Sequence, residues 1–192
     1  MSKLPIDEML YTFSNETLGA VNLLDKKGFA TQGLVVLYSA IDTLAWVNLS
    51  SGDVSRTAFK DWVDQYMLSR YPLPCTAQDL YAARCALLHS HTAESKSSRE
   101  GNARQIFYYG KDRSKEWIDS IVDGQTNVVV VRALDIKLSF VAGVQAFGME
   151  LLTDVSRAEQ VRDRIRLWMA WIDLSEGNPQ LLSSEKDDGL DL

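Results

Sequence analysis

The chain has 192 residues, 46% of them hydrophobic, and a formal net charge of −6 at pH 7, a size that suits one domain with its own core. The acidic balance argues against adhesion to nucleic acid over the whole surface, which needs Lys and Arg to neutralise phosphates. Uninterrupted apolar runs such as Val128–Val131 fall far short of the roughly 20 residues of a membrane span. Cys75 and Cys85 lack the paired spacing of a zinc site, and Asp7 and Glu8 stand where a secretory signal has its apolar core, so a cytoplasmic chain with reduced thiols, away from membranes, is expected.

In chain order, Ile6, Met9, Leu10, Phe13, Val21 and Leu24 recur at helical spacing between Pro5 and about Lys27, with Gly28 placed as a stop. The run from Thr31 to Leu49 is apolar on almost every side, the mark of a helix buried in a bundle, yet it carries Asp42. "RTAFKDWVDQYML" predicts a third helix, ended by the prolines of "YPLP". Thr76 with Asp79 has the form of a capping box, and the helix behind it runs to His89 or just beyond. "TAESKSSREGNA" has the composition of an exposed loop. "RQIFYYG" and "TNVVVVRA" read as two short strands with a helical turn or two between them. Helical period returns over residues 134–153 and 155–174, the second segment placing Trp168 and Trp171 on one stripe. The expected organisation is one mainly α domain over residues 1–175, a helical bundle with a small two-stranded β elaboration around residues 104–131. Residues 176–192 form an acidic tail whose composition predicts disorder.

Both histidines, His89 and His91, lie in "LYAARCALLHSHTAES". Three chemistries suit them. Histidine at a helix C-terminus meets the negative end of the dipole. Imidazoles bind metals, here with Asp79 or Glu94 as partners, although positions two apart on a helix point about 200° from each other. The third is metal-independent RNA cleavage, which needs a base of near-neutral pKa for the ribose 2′-hydroxyl and a fixed cation for the charge on the phosphate oxygens. His89 and Arg84 are of those types. Although the chain is acidic, residues 84–115 hold seven basic side chains against three acidic ones. Among the seven, Lys96, Arg99 and Arg104 are candidates for gathering phosphate. Phosphate loops, Gly-x-Ser-x-Gly and His-Glu-x-x-His are missing.

"RCALLH" resembles the Arg-x4-His motif of the HEPN superfamily (higher eukaryotes and prokaryotes nucleotide-binding domain), and the layout from Pro5 to His91 is similar in outline to its helical bundle. The resemblance implies an antiparallel bundle of four or five helices and RNA or nucleotide binding. It also implies an endoribonuclease without a metal or other cofactor, and a homodimer in a toxin–antitoxin or defence setting with a protein partner of antitoxin type. Arg84 would clamp phosphate, His89 act as base, Asp42 orient them, and His91 serve as an auxiliary acid or binder. The dimer implied by the resemblance also meets a geometric need, because residues five apart on a helix are turned by about 140° and would not readily share one site within a chain. The sequence departs from the family pattern after the arginine, where Cys85 stands in place of a polar residue, often Asn. That departure favours the alternative of a non-catalytic helical dimer or interaction module.

Overall fold

A computed structural model describes residues 6–90, 92, 94–110 and 113–168. Its architecture is mainly helical with one small sheet, as the apolar periodicity predicts. Helix α1 (Ile6–Lys26) ends where Gly28 turns to φ +83°, a left-handed conformation that glycine adopts without a Cβ penalty. The Phe29 N–H then bonds back to Leu24 O at 2.8 Å and the Gly28 N–H to Asp25 O at 3.0 Å, a pattern that satisfies the last free carbonyls. Helix α2 (Ala30–Val47) follows at once and is the centre of the fold, with Leu37, Tyr38, Ile41 and Leu44 fully buried.

Helix α3 (Arg56–Trp62) starts on Ser55, whose hydroxyl accepts the Ala58 N–H at 3.1 Å. It runs on as a π-helical segment over Val63–Leu68, of which the sequence carried no sign. Helix α4 (Ala77–Ser90) opens on the anticipated box: the Thr76 N–H donates to Asp79 at 3.0 Å and the Asp79 N–H to the Thr76 hydroxyl at 3.2 Å. The stretch read as a plain loop contains a one-turn helix, α5 (Lys96–Arg99), closed by its own box between Ser95 and Ser98.

The two expected strands, β1 (Gln105–Tyr109) and β2 (Val128–Arg132), pair in parallel with Ile106 opposite Val129, joined through helix α6 (Lys115–Val122). Val128 to Val131 are all buried, as suits a parallel strand covered on both faces. Tyr108 of β1 reaches the bundle and shares a hydroxyl–hydroxyl hydrogen bond with Tyr38 of α2, fastening the sheet to the core. Burial drives both phenols well above their ordinary ionisation range. Helices α7 (Ala133–Thr153) and α8 (Val155–Trp168) complete the core with Ile136, Phe140, Phe147, Val161 and Ile165. The expected Trp168–Trp171 stripe and the acidic tail over residues 176–192 lie outside the described side chains.

Helices α2 and α7 each reach a mean hydropathy of 1.2 over eighteen residues, so length and composition alone admit a membrane span where a count of uninterrupted apolar runs does not. Here the apolar residues belong to one buried core, in which α2 packs against α1, α3 and α4, and α7 against α1 and the π-helical segment Val63–Leu68. The tightest approach is at Gly143 of α7, where a Cβ would stand 2.7 Å from Met67 Cγ and 3.3 Å from Trp62 Cη2. Gly143→Ala is therefore expected to cost about 1–3 kcal/mol through overpacking, lowering Tm by about 2–4 °C per kcal/mol in thermal melts. Gly19→Ala, at an exposed α1 position with nothing within 4 Å of the new methyl, should instead gain up to about 1 kcal/mol.

Candidate functional site on helix α4

Helix α4 buries Leu80, Ala82, Ala83, Ala86 and Leu87, which leaves a partly open stripe of Tyr81, Arg84, Cys85 and His89. Their spacing of three, four and eight residues stacks them along one face. Arg84 and Asp42 meet across the α2–α4 packing, with Nε at 2.7 Å and Nη2 at 2.5 Å from Asp42 Oδ2. Both side chains are largely withdrawn from water, at 18% and 16% exposure. The buried acid of the apolar helix thus has its counter-ion, as an uncompensated carboxylate at this depth would be costly.

The remaining guanidinium nitrogen, Arg84 Nη1, lies 3.3 Å from His89 Nε2 and 3.9 Å from Cys85 Sγ. Arg84 and His89, which helix geometry was expected not to bring readily to one site within a chain, do meet within one chain. The 140° separates their Cα positions on the helix, whereas the long arginine side chain, turned by Asp42, carries its end back over the following turn. Arginine can only donate, so this contact requires Nε2 to accept and the proton to sit on Nδ1. His91 lies outside the described residues.

Burial raises the Asp42 carboxyl above its usual range, although the hydrogen bond and charge of Arg84, and the nearby His89, pull the other way. For Arg84, burial works against the charge, but the hydrogen bond and charge of Asp42 outweigh it and hold the guanidinium above its already high range. Tyr81 is raised by burial first and then by its hydrogen bond to Cys85, and it also meets Arg56. Cys75 and Cys85 are both free thiols, and burial pushes Cys75 up to about 12, leaving it inert.

The three basic residues expected to gather phosphate are not brought to this cluster. Ser97 of α5 accepts from Gln78 at 3.1 Å, so the helix carrying Lys96 and Arg99 is anchored near the start of α4. His89 lies eleven residues further, about 16 Å along the axis. Lys96 pairs with Glu100 and Arg99 with Glu94, each at 3.7 Å. Arg104 is committed to Asp79, at 2.7 Å from Nη2, and donates also to Pro74 O at 3.2 Å. Asp79 is buried, which raises its carboxyl, but its bonds from Thr76 and Arg104 prevail and hold it below the ordinary range.

The face instead gains Tyr81 and Arg56, neither of which the motif singled out. Tyr81 was legible in principle, since it sits three residues before Arg84, whereas Arg56 comes from α3 and no local pattern joins it to α4. Among the described residues no group of three or more His, Cys, Asp or Glu side chains is placed to hold a metal ion. Scans against models of known protein families, curated proteins and solved structures each found no match.

The Asp42–Arg84 pair makes a stability prediction with a definite sign. Arg84→Ala leaves the half-buried carboxylate uncompensated and should destabilise by about 1–3 kcal/mol at neutral pH. Burial is then opposed only by the weaker pull of His89, so the folded pKa of Asp42 rises further above the unfolded value of about 3.9. An acid raised in this way lends stability that is fully present below the unfolded pKa and is lost as pH rises through the folded one. Urea unfolding should therefore show the deficit of Arg84→Ala shrinking as pH falls from 7 towards about 4.5, and Asp42→Asn added to it should recover part of the loss.

Proposed function

We propose that the chain is a HEPN-like helical bundle that binds RNA and cleaves it by 2′-hydroxyl attack without a metal. The observation that carries this reading is the convergence of Asp42, Arg84 and His89 on one partly open face within a single chain. Asp42 holds the Nε/Nη2 edge of Arg84, which leaves Nη1 turned towards His89. A phosphate arriving at the stripe draws Nη1 to a non-bridging oxygen, and the Nε2 lone pair of His89 is then released to accept the proton of the 2′-hydroxyl. The 2′ oxygen bonds to phosphorus as the bond to the 5′ oxygen breaks. The products are a 2′,3′-cyclic phosphate and a 5′-hydroxyl, whose proton returns from the imidazolium or from water. Because one chain already assembles the three groups, a homodimer is not needed to complete them, and a second copy would set two such clusters side by side.

A second reading, a non-catalytic interaction module, is favoured by a different observation. Helices α1 and α7 flank an open groove of about 430 Å³ lined by Leu10, Tyr11, Leu18, Val144, Met149 and Leu152. Tyr11 and Met149 in it are 68% and 64% exposed, and apolar patches of this kind commonly mark protein contacts.

The test is incubation of the purified protein with a labelled mixed-sequence RNA and with its all-DNA counterpart, both in EDTA. The expected outcome is cleavage of the RNA alone, with cyclic phosphate ends, falling at least about 100-fold in Arg84→Ala and in His89→Ala. Undiminished cleavage in the double variant would sink the catalytic assignment, and intact RNA with the wild-type protein would favour the interaction module.

A further inference from the structure

We infer that Arg56, held over the ring of Tyr81, is a second phosphate-binding group beside the Arg84 cluster, so that the site takes a ribonucleotide strand with at least two successive phosphates. This rests on the RNA reading above and adds to it a substrate length and a residue from another helix. Tyr81 is held from one side by the fully buried Phe59, ring to ring at 5.6 Å in an edge-on contact. The Arg56 guanidinium carbon lies 5.4 Å from the Tyr81 ring centroid, within the range of a cation–π contact. A guanidinium held over the ring has lost much of its rotamer freedom beforehand, and although it also hydrogen-bonds with the Tyr81 hydroxyl, its five-donor fork has further N–H groups for a phosphate.

Arg56 is exposed, and no carboxylate among the described residues forms an ion pair with it. Each of Lys96, Arg99 and Arg104, by contrast, has an acidic partner. Lys60 is one turn further along α3, and Tyr81, which Arg56 covers, also feels the charge of Arg84, itself paired with Asp42 from α2. Tyr81 precedes Arg84 by three residues, about 4.5 Å along the helix axis. Arg56 and Arg84 therefore flank one stripe of α4, with His89 beyond the second of them. A strand lying along α4 meets the two guanidinia in succession.

The experiment measures affinities, by isothermal titration at several salt concentrations, for 2′-fluoro oligoribonucleotides of two and five nucleotides without terminal phosphates. These lack the attacking hydroxyl, and the shorter has a single phosphate. Arg56→Gln is expected to weaken the five-nucleotide strand by about three- to tenfold. It should also lower the slope of log affinity against log salt by about 0.7, and leave the two-nucleotide strand unchanged. Arg56→Lys should restore part of the loss, and Arg84→Ala should weaken both strands. If Arg56→Gln leaves both strands unaffected, or weakens both alike while its Tm falls, Arg56 is a prop for Tyr81 and the inference is overturned. If the wild-type protein binds neither strand, or Arg84→Ala changes nothing, it is the RNA reading that fails.

Discussion

The Asp42–Arg84 ion pair is the constraint on which the rest of the site depends. A carboxylate placed in the most apolar of the described helices has to be compensated where it is buried, and α4 does so by turning a guanidinium inward from its stripe. That one contact fixes three things together. It holds α2 against α4, it selects the arginine rotamer, and it leaves a single nitrogen, Nη1, facing His89. The same geometry is at once structural and chemical. A buried pair of this kind contributes little net stability compared with an apolar pair of the same shape, but it orients its members strongly.

Around that pair, α4 is positioned from both ends by contacts that owe nothing to it. At its start, Asp79 accepts from the Thr76 backbone and from Arg104, so that the cap of α4 and the lead into β1 are tied to one carboxylate. Further up, the Tyr38–Tyr108 bond joins β1 to α2, which also carries Asp42. The parallel pair of strands is thereby more than an appendage to the bundle: its first strand is bonded to the helix that supplies the acid. Rigidity of this sort is what a site needs if a charge is to be met without reorganisation.

The charge pattern has a physical explanation as well. The segment of residues 84–115 is rich in basic groups, but Lys96, Arg99 and Arg104 each meet a nearby carboxylate, so much of that excess is spent on local structure. Arg56, from a stretch that carried no excess of charge, has no such partner among the described residues and lies against an aromatic ring. Counting charge along a sequence measures supply, whereas pairing in space determines what is left to meet a ligand.

Several features were legible in the chain alone, because they depend on neighbours within a few residues. The periodicity of α1, α2, α4 and α7, the glycine stop at Gly28, the Thr76–Asp79 box and the two short strands all follow from local sterics and hydrogen bonding, and the structure has each of them. The π-helical segment at Val63–Leu68, opposite the gap left by Gly143, was not legible, since it belongs to the packing of two helices about eighty residues apart. Residue types and their spacing marked Asp42, Arg84 and His89 as chemistry-bearing. Only the tertiary structure decided that they meet in one chain, that Arg104 is spent on Asp79 and that Arg56 joins the stripe. The reason is physical: spacing along a helix sets where a Cα points, but the reach of a long side chain and the burial of its partner set where its charge ends up.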